Sequence, residues 1–172
     1  MEPLKVVQEF AQAMCPEGYE GNDAACLKSL KVIAASMKPH PNVTTRHFIT
    51  SSLCNQMGNL HGGAFAIILD TVTSFPLALV RAQGFWTMVG VSRTLNIAFL
   101  DSAREGDTVE VFSELVKVGK RMAHLRAVMR KVDERGNPGK IIATCEHGKV
   151  HVPGVDYIYV PPKERDNAKA KL

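Results

Sequence analysis

Residues 64–82, with the sequence AFAIILDTVTSFPLALVRA, constrain the fold more than any other part of the chain. The run is too long for one ordinary strand, so it predicts a helix. Apolar residues fall on nearly every side of this helix, which is typical of a helix enclosed by other structure. Pro76 lies in its interior, where it removes a backbone hydrogen bond and predicts a kink.

Strand-like segments follow this helix. Gly119-Lys120 predicts a tight turn between two of them, and residues 134–139 predict a longer turn between the next two. The four candidate strands are residues 88–99, 108–118, 121–132 and 140–152.

A hairpin is predicted before the helix. Residues 43–50 are rich in β-branched and aromatic side chains and predict a strand, whereas residues 29–38 are ambiguous between helix and strand. Residues 39–42, Pro-His-Pro-Asn, are a strong turn signal between them. Strands, one buried helix and four more strands predict an α+β fold, in which a mostly antiparallel sheet wraps around a central helix.

The segments at the two ends complete the predicted domain organisation. The apolar residues between Leu4 and Met14 have helical spacing, and a second short helix is predicted from Asp23, its N-cap, to about Lys28. We therefore expect a helical extension at residues 1–28, a single domain at 29–160 and a flexible polar tail at 161–172.

Composition excludes several classes of protein. The chain has 172 residues, enough for one domain, and its net charge of +4 is too weak to indicate a nucleic-acid partner. No apolar run approaches the roughly 20 residues of a membrane span, and we see no secretory signal at the start. The cysteines form no CxxC pair and lack zinc-ligand spacing, so we expect reduced thiols at Cys15, Cys26, Cys54 and Cys145.

Two features of the central helix point to chemistry. Asp70 is a carboxylate in an otherwise apolar helix, so it has either a functional role or a structural bond to Thr71, Thr73 or Ser74. His61-Gly62-Gly63 opens the helix, where free N–H groups and close ligand approach suit a carbonyl oxygen that gains negative charge. A plain glycine turn into a helix is the alternative interpretation.

The spacing of these two features has a consequence for assembly. Gly62 and Asp70 are eight residues apart, which is about 12 Å along a helix. A reacting carbonyl needs an oxyanion donor and a base each within roughly 3 Å. If both residues act in one reaction, a second subunit must supply one of them, and we expect a homodimer.

The motifs together resemble the PaaI-like, thioesterase superfamily member 2-like branch of the hotdog acyl-CoA thioesterases. The resemblance covers about residues 30–152. It rests on Asn55-x-x-Gly58-x-Leu60-His61-Gly62-Gly63, Asp70, Gly90-Val91-Ser92-x-x-Leu95-Asn96-Ile97-x-Phe99, Ala103-x-x-Gly106-Asp107 and Gly119-Lys120. It implies a hotdog fold, acyl-CoA as substrate, and a homodimer or homotetramer.

The resemblance also implies roles for residues on the helix. Asp70 matches the family's acidic residue, which activates water or attacks the thioester directly. Gly62 matches the backbone N–H that polarises the thioester carbonyl, and Gly63 allows the substrate to approach. A thioester has a good leaving group, so one carboxylate with preorganised donors suffices, and we expect no metal or organic cofactor.

Other matched positions lie outside the helix. Asn55 matches a side chain that holds the carbonyl or the water, and His61 is the accompanying motif residue. Ser92 matches a serine that positions the attacking water. Lys120 falls at a turn that lies near the CoA nucleotide in relatives, although a solvated surface lysine is the alternative.

Some features depart from the family pattern or leave alternatives open. The segment containing Phe85, Trp86 and Met88 appears longer than in relatives, and these residues either line the acyl pocket or pack onto the core. A hydratase or dehydratase acting on a thioester-bound chain and a non-catalytic acyl-CoA-binding protein are the alternative functions. The chain ends Ala170-Lys171-Leu172, which resembles the S-K-L peroxisomal address, so we expect a cytoplasmic or peroxisomal protein.

Overall fold

The computed structural model describes residues 2–153. The tail predicted at 161–172, with Ala170-Lys171-Leu172, lies outside the described residues. Within the described range the helices are α1 (Pro3–Met14), α2 (Ala24–Ser29), α3 (Gly62–Thr73) and α4 (Phe75–Ala78), with a 3₁₀ turn at Ser51–Leu53. The strands are β1 (Leu30–Ser36), β2 (Asn42–Phe48), β3 (Val91–Phe99), β4 (Thr108–Val118), β5 (Met122–Val132) and β6 (Pro138–Val150).

The six strands form one sheet in the order β1-β2-β4-β5-β6-β3, and every pairing is antiparallel. The predicted α+β architecture and the hairpin that joins residues 29–38 to residues 43–50 are therefore confirmed. β3 pairs with β6 along one side, and its other side has no strand partner within residues 2–153. This open edge places β3 at the margin of the sheet.

Helix α3 supplies the centre of the hydrophobic core. Its inner face buries Phe65, Ile68, Leu69 and Val72, each no more than 3% exposed. Burying a side chain of this size contributes roughly 1.5–3 kcal/mol, so these residues fix the helix firmly against the sheet. The opposite face, which carries Asp70, is only partly buried.

The helix is interrupted at Ser74, two residues before Pro76, although the Ser74 backbone itself stays helical. α3 ends at Thr73, and α4 starts at Phe75 with Pro76 in its first turn, where the missing N–H of proline breaks no helical hydrogen bond. α4 then ends at Ala78. The helix predicted over 64–82 with a kink at Pro76 is therefore present as two helices joined at Ser74, and it ends at Ala78 instead of residue 82.

The N-terminal helices join the same core. Val7 and Phe10 of α1 are buried, and the Phe10 ring meets the Phe75 ring of α4 edge-on with centroids 5.8 Å apart. α2 buries Cys26 and Leu27. The residues before β1 thus pack on the sheet and its central helices. Among residues 2–153, no helix has the length and apolarity needed to cross a bilayer.

Candidate active site

Asn55 organises the loop before α3. Its side-chain Oδ1 accepts hydrogen bonds from the backbone N–H groups of Met57, at 2.9 Å, and Asn59, at 3.2 Å. Because two N–H groups point at this oxygen, the amide NH2 faces the other way. That NH2 has no acceptor within residues 2–153, so Asn55 retains a free donor on a rigid loop.

His61 caps the N-terminus of α3. Its own N–H donates to the Leu53 carbonyl oxygen at 2.9 Å, and its Nδ1 accepts the Gly63 N–H at 2.9 Å. The Gly62 N–H, by contrast, has no acceptor among the described residues, and a Cβ at Gly62 would meet no atom within 4 Å. The Gly62 amide is therefore the exposed donor of the helix start, whereas the Gly63 amide is occupied by the cap.

Asp70 lies near the other end of α3, with its side chain 44% exposed. The hydroxyl of Ser92, on β3, donates to Asp70 Oδ1 at 2.5 Å. The hydroxyls of Thr73 and Ser74 bond to the Asp70 backbone carbonyl oxygen and not to its carboxylate. The structure thus brings together Asp70 and Ser92, two of the residues singled out in the sequence, and leaves Oδ2 open.

A buried histidine supports this pair. His147, on β6, is fully buried, and its Nε2 lies 2.9 Å from Ser92 Oγ and 3.4 Å from Asp70 Oδ1. Its Nδ1 lies 2.5 Å from Thr73 Oγ1. Burial, with a smaller effect of the Lys149 charge, lowers the pKa of His147 to about 4. The imidazole is therefore neutral at neutral pH, and it helps to hold the Ser92 hydroxyl in position.

A buried lysine lies beside the histidine. Lys149 is 4% exposed, donates to Ser74 Oγ at 2.8 Å and reaches Ser92 Oγ at 3.5 Å. Burial lowers the pKa of Lys149 to about 8, against the opposing attraction of the Asp70 carboxylate. The ammonium group therefore keeps its proton at neutral pH and places a positive charge behind the Asp70–Ser92 pair.

Sequence reasoning missed His147 and Lys149. The signal was present, because alternation along the predicted strand 140–152 puts Cys145, His147 and Lys149 on one face. Polar groups on the inward face of a strand are costly unless they are paired. The sheet register then sets Lys149 directly opposite Ser92 and His147 opposite Leu95.

The two groups of residues lie at opposite ends of α3. Gly62 and Asp70 both belong to this unbroken helix, so about 12 Å of helix rise separates them. Helix α3 runs alongside β3 in the opposite direction. Phe65, near the helix start, meets Phe99 at the end of β3 with ring centroids 5.4 Å apart, while Asp70 meets Ser92 near the beginning of β3.

One opening adjoins Asp70, and a second lies on the exposed face of the sheet. A cavity of about 450 Å³ is lined by the α3 face that carries Asp70, by Leu95 of β3, and by the segment containing Tyr19 and Asp23. A groove of about 480 Å³ starts at Arg93 and Thr94, next to Ser92, and is lined by basic side chains. These are Arg93, Lys117, Arg121 and His124.

The remaining predicted site residues lie elsewhere. Trp86 is fully buried in a second core cluster with Leu77, Leu115, Ala123 and Leu125, and its indole N–H donates to the Gly119 carbonyl oxygen at 2.8 Å. Phe85 packs against the same cluster, and Met88 is partly buried. Lys120 is exposed beside the basic groove. The packing interpretation therefore describes the position of Trp86.

Comparisons with known proteins agree with this architecture. The structure of zebrafish thioesterase superfamily member 2 is similar with a TM-score of 0.71 and 23% identity, covering 87% of this chain and 99% of that one. Escherichia coli PaaI, from the phenylacetic acid degradation operon, is similar with a TM-score of 0.62 and 18% identity, covering 88% and 96%. An antiparallel sheet around a central helix, shared with these proteins, is the hotdog fold that the sequence predicted.

Sequence comparisons define the family. The model of the thioesterase superfamily matches residues 57–136. Human acyl-coenzyme A thioesterase 13 is 31% identical over 96 residues, 55% of this chain and 62% of the relative. A Pseudomonas aeruginosa protein named as a candidate esterase is 31% identical over 100 residues, 58% of this chain and 67% of the relative.

The chain belongs to the thioesterase superfamily. It spans 62% of the length of the acyl-coenzyme A thioesterase 13 relatives that it matches.

Proposed function

We propose that this protein hydrolyses an acyl-CoA thioester to free CoA and a carboxylic acid. The observation that carries the proposal is the Asp70 carboxylate, half exposed at a cavity on an otherwise apolar helix and held by the Ser92 hydroxyl. A carboxylate with one oxygen fixed and one open suits either activation of water or direct attack. The family relationship supports this choice of reaction.

The proposed reaction has two balanced routes. In the first, water attacks the thioester carbonyl, Asp70 accepts the proton, and the proton leaves on the CoA thiolate. In the second, Asp70 attacks the carbonyl and expels the thiolate, and water then hydrolyses the resulting anhydride. In both routes Ser92, His147 and Lys149 hold the carboxylate in place, because they contact it or each other.

An oxyanion donor must complete this site. The free Gly62 N–H and the free Asn55 NH2 are donors of the required kind, but they belong to the far end of the helix. We therefore infer that the partner subunit of a homodimer presents them to Asp70.

The open edge of β3 supports this assembly. Two copies paired antiparallel along β3 would place the end of one β3, at Phe99, beside the beginning of the other, at Ser92. In each chain Phe99 marks the N-terminal end of α3, through its contact with Phe65. The same pairing would thus bring the Gly62 amide of one subunit toward Asp70 of the other.

The basic groove suits the other end of the proposed substrate. CoA carries several phosphate groups, and Arg93, Lys117 and Arg121 have no carboxylate partner within residues 2–153. Unpaired guanidinium and ammonium groups beside the site favour a polyanion. We place the CoA phosphates along this groove.

The first experiment measures free thiol released from a series of acyl-CoA thioesters. We expect wild-type turnover, and a loss of about 10²–10⁴ in kcat in Asp70→Asn with an unchanged melting temperature. Product masses identify the reaction, since hydration of the chain leaves the thioester intact. Acyl-CoA binding without turnover, or full activity of Asp70→Asn, would contradict the proposal.

The second experiment tests the shared site. Asp70→Asn and Gly62→Pro chains, each inactive alone, are co-expressed with different tags. Random mixing makes half of the dimers mixed, and each mixed dimer has one intact site of two, so we expect about a quarter of wild-type activity. If each site were contained in one chain, the mixed dimers would recover no activity.

A further inference from the structure

The cavity beside Asp70 has a floor, a side and a far wall. The floor is one face of α3, formed by Ala66, Ile67 and Asp70, and the side is Leu95 of β3. The far wall comes from the segment between α1 and α2, where Tyr19 and Asp23 line the cavity. This segment lies outside the part of the chain that the thioesterase family model matches.

Internal bonds hold this segment in place. The Tyr19 hydroxyl donates to Asp23 Oδ1 at 2.6 Å, and the Ala24 N–H donates to the Gly21 carbonyl oxygen at 2.9 Å. α2, which follows directly, is anchored by the buried Leu27. The wall is thus fixed to the core.

Gly21 leaves room for the tyrosine ring. A Cβ added at Gly21 would overlap the Tyr19 hydroxyl and its ring carbon. Any larger residue at position 21 must therefore push the ring out of its place, so the glycine and the tyrosine form one unit.

The charges of the side chains that line the cavity indicate which end of the substrate it binds. No basic side chain lines it, and Asp23 adds a carboxylate at its far wall, so it disfavours a polyphosphate. Ala66, Ile67 and Leu95 instead offer apolar surface that starts directly at Asp70. If the thioester carbonyl lies at Asp70 and the phosphates follow the basic groove, the acyl group occupies this cavity.

We propose that Tyr19, held by Asp23 and accommodated by Gly21, is the wall that limits the length of the acyl group. This inference rests on the proposed thioesterase activity. The residues before the hotdog domain thereby set substrate choice, and the accepted acyl groups end at the tyrosine ring.

The test compares kcat/KM across straight-chain acyl-CoA thioesters of increasing length. In Tyr19→Ala the optimum moves to longer chains, and the ratio of kcat/KM for the first rejected chain to that for the wild-type optimum rises at least about tenfold, the effect of one or more methylenes in an apolar pocket. Gly21→Ala displaces the ring without removing it and shifts the optimum in the same direction.

Two variants serve as controls. Gly139→Ala introduces the same methyl group in β6, where it meets only ordinary contacts, and Glu17→Ala changes an exposed residue of the same segment. Both retain the wild-type length profile. Melting temperatures of all variants verify folding.

The outcomes separate the two proposals. Wild-type protein that releases no thiol from any acyl-CoA overturns the proposed function. A second outcome is wild-type turnover that depends on Asp70, with an unchanged length profile in both Tyr19→Ala and Gly21→Ala. This outcome overturns only the proposal that Tyr19 limits the length of the acyl group. A profile that changes equally in Glu17→Ala also overturns it, because the effect then belongs to the segment and not to the ring.

Discussion

The two ends of α3 carry two differently built halves of the candidate site. The donor half, Asn55 to Gly63, is held by hydrogen bonds between residues two to eight positions apart and by two longer-range backbone bonds, from the Leu60 N–H to the Ala103 carbonyl oxygen and from the Glu105 N–H to the Gly58 carbonyl oxygen. The carboxylate half joins Asp70 to Ser92 and Thr73 to His147 across 22 and 74 positions, and it is buried on its inner side.

This difference determines which half of the site depends on nearby residues and which half depends on the pairing of strands. In the donor half the reacting groups are a backbone N–H and one amide, which depend on local turn geometry and on a loop bonded to residues 103–105. In the carboxylate half, each polar group depends on the strand register for its partner. The donor half is therefore mainly a local motif that residues 103–105 anchor, whereas the partners in the carboxylate half are set by the sheet.

Gly62→Pro removes the oxyanion donor and gives the largest effect expected in the donor half. Proline lacks the N–H, is favoured in the first helical turn, and follows His61, whose backbone at φ −66° and ψ 139° is already extended as proline requires. We expect kcat to fall by about 10²–10³ with little loss of stability. Gly62→Ala keeps the N–H and has room for the methyl group, so it should retain activity. Equal activity of the two variants would exclude the Gly62 amide as the oxyanion donor.

Acid should destabilise the carboxylate half through its buried imidazole. Burial lowers the pKa of His147, and of His47 in β2, from 6.5 to about 4. The unfolded chain therefore takes up more protons between about pH 6.5 and pH 4, and the free energy of unfolding falls as the pH drops through this window.

The size of this effect is about 3 kcal/mol for His47, with the same direction for His147. Urea unfolding at pH 7 and pH 4.5 measures it. His47→Gln, which cannot titrate, should lose less stability on acidification than wild type does. Identical losses in the two proteins would show that folding does not lower the pKa of His47.

Asn55→Asp separates the two functions of the donor half. The aspartate keeps an oxygen for the Met57 and Asn59 amides but loses the NH2 donor and adds charge where the oxyanion would form. We expect kcat to fall roughly a hundredfold with an unchanged melting temperature. Asn55→Ala should lose both activity and about 1 kcal/mol of stability. A fully active Asn55→Asp would limit this residue to organising the loop.

Ser92→Ala gives the smallest expected effect. It removes one hydrogen bond to a carboxylate that Lys149 and His147 still neighbour, so kcat should fall roughly tenfold. Ser92→Thr retains the hydroxyl and is the matched comparison. A loss as large as that of Asp70→Asn would show that the serine takes part in the chemistry itself and does more than orient the carboxylate.

Much of the fold follows from sequence periodicity. The strand predicted at 108–118 coincides with β4, because alternation of apolar and polar residues there is regular. The predicted C-terminal end of the central helix was wrong, because α3 ends before Pro76. That proline suits both a kink and the first turn of a new helix, so the sequence alone does not decide between them.

The sequence likewise predicted one part of the site better than the other. Asn55, His61 and Gly62 form a compact motif, so their local arrangement can be anticipated from spacing. His147 and Lys149 are more than fifty positions from Ser92, and their approach requires the β3–β6 register with its irregularity between Ser92 and Thr94. Trp86 shows the converse, since an aromatic residue beside a motif can belong entirely to the core.

The bare side of β3 has a consequence for how molecules of this protein associate. An unpaired strand is a template onto which further chains can add without limit. Self-pairing about a twofold axis uses the bare side of β3 in both molecules at once, so that β1 forms each outer edge of the combined sheet. A dimer formed in this way would close the β3 edge to further strand addition, and dilution that splits the dimer would reopen this edge and remove turnover in the same step.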